Sequence, residues 1–330
     1  RAIDFGYSKT PEETFGVWGR EEVLSDVVRA IRTFRPDVVV TRFPENGDGG
    51  HGHHTASAIL AREAWKAAGD PRRFPEQIAE GLAPWTPRRL FWNAFRRDGK
   101  PIEGSIAFEI GDYSPLLGRS YTETAAESRS QHKSQGFGSS ERRGRLTNAL
   151  VLVEGDPAKA DPFEGIDMTW ARLPGGERVG RLLAEAAKAF DPRDPAAVLP
   201  KLLEAHAALR ALPKGPWVEV KRKELLDAIR SASGLWLEAM AASPSATPGS
   251  AFRLNVTALV RAGSGAALAR VVVPWGKGEG LPAGAELKLN EPVQGTATVP
   301  VPEAADVTQP HWLRARPGKG LYSVPSPKDA

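Results

Sequence analysis

The sequence lacks cysteine altogether, which excludes disulfides, thiolate metal sites and cysteine nucleophiles. It also lacks a long hydrophobic run, since the longest apolar stretches, 149–153 and 271–274, are far shorter than the roughly 20 residues of a membrane-spanning helix. The formal net charge is only +4 and no dense basic tract is present, so a nucleic-acid partner is not expected. No signal-peptide pattern is present either. The sequence therefore leaves the compartment, whether cytoplasmic or exported, and the oligomeric state undecided.

What the sequence does contain is typical of a globular protein with a hydrophobic core. Hydrophobic residues make up 41% of the chain and charged residues 25%. The 33 glycines and 28 prolines predict long loops. A length of 330 residues predicts two domains, or one large domain with an appendage.

Residues 1–170 alternate between helical and strand patterns. Apolar residues spaced by three and four predict a helix over Arg20–Phe34, and Ser120 with Glu123 forms a capping box that opens a helix reaching to about Gln135. The remaining predicted elements are a helix over 55–68 and strands over 37–41, 89–95, 106–110 and 146–153. Strands separated by helices predict an α/β domain whose parallel or mixed sheet is covered on both faces.

The rest of the chain divides into two further regions. Residues 171–245 are predicted to form a helical connector, whose last apolar stripe includes Leu235 and Trp236. In residues 246–330, apolar and polar residues alternate with a period of two, which predicts β structure. The four predicted short strands centre on 252–260, 271–273, 287–289 and 296–301. A β-sandwich is the expected arrangement, and the short length suits an incomplete one.

Three of the six histidines, His51, His53 and His54, lie within four residues of a glycine-rich loop. The loop follows a predicted strand and precedes a helix, the position where α/β sheets bind ligands. Imidazole is the commonest metal ligand, and a catalytic zinc keeps three protein ligands and a water. Because His51 and His54 are three residues apart, they can approach one point, which suggests a metal ligand at one and a proton donor at the other. A solvated histidine loop without function is the alternative.

Four stretches together resemble one family. Residues 48–58 are similar to the second signature, usually His-Pro-Asp-His, of the PIG-L/LmbE-like zinc-dependent de-N-acetylases. Residues 34–41 resemble the strand that leads into that signature, and 128–135 resemble the family's helical His-x-Ser-Gln element. Residues 161–170 resemble a segment of the long bacterial LmbE-like branch, in which further domains follow the deacetylase. The resemblance implies a Rossmann-like deacetylase sheet over residues 1–170.

The resemblance also implies roles for individual residues. His54 is expected to be a ligand of Zn²⁺, and His51 is expected to stabilise the tetrahedral intermediate and to protonate the leaving amine. His53 stands where the family usually has an aspartate that orients the first histidine. A neutral imidazole cannot serve as an anionic anchor, so Asp48 or Glu45 is a candidate for that role.

The expected substrate is a small N-acetylated amino-sugar conjugate of the N-acetylglucosamine type. His132, in the His-x-Ser-Gln element, is a candidate for lining the substrate pocket. The alternative for His132 is a helix histidine that hydrogen-bonds to a neighbouring loop. Nothing in the sequence identifies the natural substrate.

The family's first signature, His-Pro-Asp-Asp, does not occur at any of the six histidines. That signature supplies two zinc ligands and the base, so we expect the chain to begin after the strand that carries it and to be inactive alone. Coding sequence upstream of Arg1 would decide this. A non-catalytic binding or structural module that keeps the fold is the alternative. A metallo-β-lactamase-like hydrolase is disfavoured, because the loop lacks the aspartate of His-x-His-x-Asp-His.

Overall fold

The computed structural model describes residues 2–94, 102–272 and 284–324. The chain is a mixed α/β protein that separates into two compact units. Unit 1 comprises Arg1–Ile166 together with Gln309–Ala330, and unit 2 comprises Asp167–Thr308. Within the described residues, no helix is both long and apolar enough to cross a membrane.

Unit 1 contains five helices and six strands among its described residues. The helices are α1 (Pro11–Trp18), α2 (Arg20–Phe34), α3 (Gly52–Ala67), α4 (Pro75–Ala79) and α5 (Tyr121–Ser130). The strands are β1 (Val38–Thr41), β2 (Arg89–Ala94), β3 (Ile106–Glu109), β4 (Tyr113–Ser114), β5 (Arg119–Ser120) and β6 (Thr147–Gly155).

The sheet of unit 1 has the strand order β1-β2-β6-β3. Strand β1 pairs with β2 in parallel, and β6 pairs with both β2 and β3 in the antiparallel direction. Phe91, Ile106 and Leu150, one from each of the three strands that follow β1, form a buried cluster on this sheet. The mixed sheet predicted from the alternation of strands and helices is therefore confirmed.

Helices α2 and α3 pack on each other through the apolar stripe seen in the sequence. Leu24, Val28 and Ile31 of α2 form one buried cluster with Leu60 and Ala64 of α3. The predicted bounds of α2 are confirmed, because Arg35 adopts a left-handed conformation with its N–H on the carbonyl of Ile31 and a proline follows. This pair of helices fixes the direction in which α3 leaves the histidine loop.

Arg32 is a fully buried cation on α2, and within the described structure Glu76 and Asp70 act on it through their charge without forming an ion pair with it. Its guanidinium instead donates hydrogen bonds to backbone carbonyl groups around the C-terminal end of α3 and the loop that follows it. The acceptors are the carbonyl oxygens of Ala67, Ala68, Asp70, Arg73 and Phe74 and the side-chain oxygen of Gln77. The carbonyl groups of Ala67 and Ala68 at this helix end, which also accept from backbone amides, thus gain a further donor inside the unit.

Helix α5 begins as predicted and ends earlier. Ser120 and Glu123 form the capping box in both directions, which confirms that prediction. The helix stops at Ser130 instead of continuing to about Gln135. Every residue of α5 is at least partly exposed, so no packing favours a longer helix. Phe95, the last residue of the predicted strand over 89–95, lies outside the described residues.

The two ends of the described chain meet in unit 1. Ala2 pairs with Leu321 in an antiparallel bridge, and the amide of Ile3 donates to the carbonyl of Gly320 at 2.9 Å. A Cβ atom at Gly320 would stand 1.8 Å from the carbonyl oxygen of Val17, so only glycine fits this approach. The C-terminal segment therefore fastens the N-terminal residues that lie beside the histidine loop.

Among its described residues, unit 2 combines three α-helices with antiparallel strands. The helices are α6 (Glu177–Ala189), α7 (Leu199–Arg210) and α8 (Pro216–Ala232). The strands are β7 (Leu235–Ala241), β8 (Ala251–Val260), β9 (Ala267–Leu268), β10 (Ala285–Glu286) and β11 (Val293–Pro300). The helices share one apolar core. The strands form a three-stranded sheet of order β11-β8-β7 and a separate two-stranded ribbon of β9 and β10.

Three details of unit 2 differ from the sequence-based expectation. Leu235 and Trp236 do not extend the last helix, because Gly234 adopts a left-handed conformation and Leu235 pairs with Val260 in the sheet. Val271 and Val272 lie outside the strands of the described residues, and Val273 lies outside the described residues. Strand β10 covers Ala285–Glu286 instead of the predicted 287–289. The strands predicted around 252–260 and 296–301 are confirmed as β8 and β11, and the sandwich stays a prediction.

Candidate active site

The histidine loop joins the carboxyl end of β1 to the first turn of α3. His51 is the N-cap residue of α3, in an extended conformation. Gly52 follows, and its amide donates to the carbonyl of Ser8 at 2.8 Å. A Cβ atom at Gly52 would lie 2.1 Å from the carbonyl oxygen of Thr10. Gly52 therefore allows the start of α3 to pack closely against the N-terminal segment, whose side chains surround part of the histidine loop.

His54 is held by two contacts within its own loop. Its ring stacks on Phe43 with 3.6 Å between centroids and 5° between planes, and its Nδ1 lies 2.6 Å from the carbonyl oxygen of Gly49. A carbonyl oxygen only accepts, so Nδ1 carries the hydrogen and Nε2 is left with a lone pair. This is the arrangement in which metal-binding histidines are commonly held.

His53 points to the N-terminal segment. Its Nδ1 lies 2.8 Å from the hydroxyl of Ser8, which is fully buried. Phe5 lies against one side of the ring at 4.5 Å, and Trp18 contacts it edge-on at 4.9 Å. Nε2 of His53 is buried and has no hydrogen-bond partner among the described residues.

His51 lies between the other two histidines. Its ring centroid is 3.9 Å from that of His54 and 5.3 Å from that of His53. The structure thus brings His51 and His54 together, as their spacing predicted. Nδ1 of His51 is buried and, within the described part of the chain, without a hydrogen-bond partner.

A polar cavity of about 280 Å³ adjoins His51. The residues that line it include Lys9, Glu12, Glu45 and Asn46. Burial is the main cause that lowers the pKa of His51, and the nearby rings of His54 and His53 add to it. The neutral imidazole is therefore favoured, and His51 has to take up a proton before it can donate one.

The carboxylates proposed as orienting groups have other partners. Asp48 accepts a hydrogen bond from the side-chain amide of Asn46 at 2.7 Å, and its own amide donates to Asn46. Glu45 lies 3.5 Å from Arg62. Both acidic side chains thus take part in contacts within the loop and toward α3, and Asp48 is exposed.

His132 is exposed and lies in the turn that follows α5. Its carbonyl oxygen accepts from the amides of Gln135 and Gly136, so its backbone is fixed although its ring faces solvent. Its role as a pocket residue stays a prediction.

Most of the N-terminal residues that surround His53 were not predicted from the sequence. Phe5, Ser8 and Thr14 lie in or before α1, a helix that no apolar periodicity indicates. The only sequence signal for this helix was local. Thr10 is an N-cap residue followed by Pro11, and the side chain of Glu13 accepts a hydrogen bond from the amide of Lys9. That pattern marks the start of a helix and does not reveal what the helix contacts.

The described residues do not form a complete zinc site. A catalytic zinc needs three protein ligands, and no group of three histidine, cysteine or carboxylate side chains with suitable geometry occurs within 2–94, 102–272 and 284–324. His54 alone has the orientation of a ligand. The residues present therefore do not by themselves fit the metal that the family resemblance implies.

Part of the chain is similar to known enzymes, among them an amidase and a deacetylase. Mycothiol S-conjugate amidase of Streptomyces coelicolor is 30% identical over 83 residues, which cover 25% of this chain and 27% of that enzyme. 1D-myo-inositol 2-acetamido-2-deoxy-alpha-D-glucopyranoside deacetylase 1 of Catenulispora acidiphila is 31% identical over 119 residues, 34% of this chain and 35% of that enzyme. No family model matches the chain.

The similar stretches thus span about a third or less of each relative. One relative is named as an amidase and the other as a deacetylase, and both names describe hydrolases. Over part of its length, this mixed α/β chain is therefore similar to hydrolases.

Proposed function

We propose that residues 1–170 are part of a Rossmann-like deacetylase domain of the LmbE/PIG-L kind, and that this domain hydrolyses the N-acyl amide of a small amino-sugar conjugate. The names of the two partial relatives support this reaction class. So do the mixed sheet and the position of the histidine loop after a parallel strand, where α/β sheets bind ligands.

The observation that carries the proposal is the position of His51. It contacts His54 on one side and lines a polar cavity on the other. Amide hydrolysis requires a proton on the nitrogen before the amine departs, because an amide anion is a poor leaving group. We assign delivery of that proton to His51, which is first protonated and then gives up the proton at the cavity wall.

Zn²⁺ is the proposed cofactor, with His54 as one ligand through Nε2. The described residues supply too few ligands for a catalytic site, so the others have to come from residues beyond those described. We therefore expect the 330-residue chain to hydrolyse little substrate by itself.

Acetate release from 1D-myo-inositol 2-acetamido-2-deoxy-α-D-glucopyranoside, measured with the natural gene product that contains this chain, tests the proposal. His51→Ala should lower turnover ~100-fold or more, as expected for the loss of a proton donor, without changing the metal content. Ser57→Ala, on the exposed face of α3, is the matched control and should retain activity. Loss of metal and activity together in His51→Ala would contradict the assigned role.

A non-catalytic binding module is the second candidate. The absence of a three-ligand cluster from the described residues favours it. The two candidates differ in one measurement, since a binding module would bind the amino-sugar conjugate in calorimetry and release no acetate from it.

A further inference from the structure

Two stretches of chain, 9–12 and 50–55, provide most of the residues that line the polar cavity beside His51. They are fixed to each other by a hydrogen bond from the hydroxyl of Tyr7 to the carbonyl of Gly50, at 2.9 Å. The cavity, of about 280 Å³, therefore has a defined wall before any ligand arrives.

The cavity contains one cation and one anion that the protein itself does not pair. The side chains of Lys9 and Glu12 are exposed, and both residues line the cavity. Neither forms an ion pair within residues 2–94, 102–272 and 284–324. The other acidic side chain of the wall, Glu45, lies 3.5 Å from Arg62. One ammonium group and one carboxylate are thus available to a ligand.

A buried hydroxyl adds a further polar group to this wall. Thr55 is only 5% exposed and lines the cavity, and its hydroxyl has no hydrogen-bond partner in the described part of the chain. Hydroxyl groups at this depth usually have a partner. Because a hydroxyl both donates and accepts, a hydroxyl of a ligand in the cavity would suit it.

The mixture of charges disfavours an ionic ligand. A cation would be repelled by Lys9 and an anion by Glu12, and either ion would lose hydration on entering the cavity. The first turns of α1 and α3 border the cavity and favour negative charge, which Glu12 and Glu45 already supply. A neutral group with several hydroxyls gains from both signs, since it accepts from an ammonium group and donates to a carboxylate.

The ring of Tyr7 adjoins the same cavity. Its centroid is 5.0 Å from that of His51, and the residue is 66% exposed although its hydroxyl is bound to Gly50. An aromatic ring that is fixed at its polar end and otherwise exposed offers an apolar face to a ligand. Ligand sites commonly combine such rings with a few polar groups.

We infer that the polar cavity is a subsite for a neutral, polyhydroxylated ring, in which Lys9 donates to a hydroxyl oxygen, Glu12 accepts from a hydroxyl group and Tyr7 packs on the apolar face. Lys9 and Glu12 are then specificity-determining residues, which favour an uncharged ring over a charged one. The role of this subsite in catalysis rests on the proposed function, whereas the binding itself does not.

Three probes that share one type of ring and differ in charge test the inference. Methyl α-D-glucopyranoside is neutral, glucosamine is a cation and glucuronate is an anion, and none of them contains an amide that could be hydrolysed. Ligand-observed NMR titrations near neutral pH, with the natural gene product that contains this chain, give a dissociation constant for each. The neutral glycoside should bind about 10-fold more tightly than either charged sugar.

Two variants should change this selectivity in opposite directions. Lys9→Met keeps the apolar stem and should weaken binding of the neutral glycoside about 10-fold, while reducing the difference between it and glucosamine. Glu12→Gln should weaken the neutral glycoside to a similar extent and reduce the difference between it and glucuronate. A merely structural effect would weaken binding of all three probes alike.

The control variants are matched to these positions and do not line the cavity. Glu76 follows the proline that begins α4 just as Glu12 follows the proline that begins α1, so Glu76→Gln should bind the probes like the wild type. Lys66→Met removes an exposed lysine that pairs with Glu154 and should also leave binding unchanged.

Equal affinity for the three probes, or no binding of any of them, would overturn the inference. So would a selectivity that Lys9→Met and Glu12→Gln leave unchanged. Selective binding without release of acetate from an N-acetylated substrate would count against the proposed function alone. Release of acetate by a protein that binds the three probes equally would count against the subsite alone.

Discussion

The imidazole of His54 lies flat on the ring of Phe43, with 3.6 Å between the ring centroids. The stack and the hydrogen bond from Nδ1 to the carbonyl of Gly49 together fix the ring in two directions. Nε2 is the remaining nitrogen through which His54 can bind a metal ion. The loop therefore orients this side chain before any ligand arrives.

The first prediction concerns zinc affinity. Phe43→Leu should weaken Zn²⁺ binding ~10-fold, because contacts that orient a ligand contribute about 10–100-fold to metal affinity. His54→Ala should abolish specific binding. Calorimetric titration with Zn²⁺ of the natural gene product that contains this chain measures both effects, and His132→Ala, which removes an exposed histidine, is the control. Zinc binding that survives His54→Ala would contradict the ligand assignment.

The second prediction concerns the close approach of Gly52 to the N-terminal segment. Gly52→Ala should lower the free energy of unfolding by about 1–3 kcal/mol, since its Cβ would collide with the carbonyl of Thr10. At Gly16 in α1 a Cβ meets only open space among the described residues, so Gly16→Ala should stabilise by about 0.5–1 kcal/mol. Urea unfolding distinguishes the two, and equal stability of both variants would refute the predicted collision.

The third prediction concerns Arg32. Arg32→Met retains the apolar stem and removes the hydrogen bonds that the buried guanidinium donates to carbonyl groups. Most of these carbonyl groups also accept from backbone amides, so stability should fall by about 1–3 kcal/mol. Arg72→Met, at an exposed arginine that pairs with Asp70, should leave the unfolding free energy nearly unchanged. Thermal unfolding of the two variants provides the comparison. A similar loss at both positions would mean that Arg32 acts only through its charge.

The fourth prediction concerns acid sensitivity in unit 2. Burial, with Arg210 and Arg222 nearby, lowers the pKa of His206. The unfolded chain, with an ordinary pKa of about 6.5, then binds the proton more readily than the folded chain does. The stability from neutral His206 is therefore complete above pH ~6.5 and is lost as the pH falls through the lowered pKa.

Hydrogen exchange in α7 (Leu199–Arg210) measures this effect. Lowering the pH from 7.5 to 5.5 should reduce protection in the wild type more than in His206→Gln, with both proteins compared at the same pH. His132→Gln should behave like the wild type. Identical pH dependence in the wild type and His206→Gln would exclude His206 as the cause.

Much of the α2–β1–α3 region was predictable because its signals are local. The apolar stripe of α2, the proline after it and the short valine strand each specify their own element. The loop position of His51 and His54 followed from those elements. The contact between the two rings followed from their spacing of three residues at the start of a helix.

The surroundings of His53 were not predictable, because they depend on residues distant in sequence. Ser8 contacts His53 across a separation of 45 residues, and no periodic pattern relates the two. The strand position of Leu235 also depends on a residue distant in sequence. Its apolar character suits a helix or a strand equally, and its pairing with Val260 decides between them.

Unit 1 is assembled from two separate stretches of the chain, and the bridge between Ala2 and Leu321 has a consequence for biosynthesis. During translation the residues of unit 2 leave the ribosome before the segment that pairs with Ala2 and Ile3. Unit 2 can consequently fold while the first unit still lacks its closing segment. The N-terminal residues around His53 then gain this bridge only after Leu321 has left the ribosome, so the surroundings of the histidine cluster are completed later than the residues of unit 2 are synthesised.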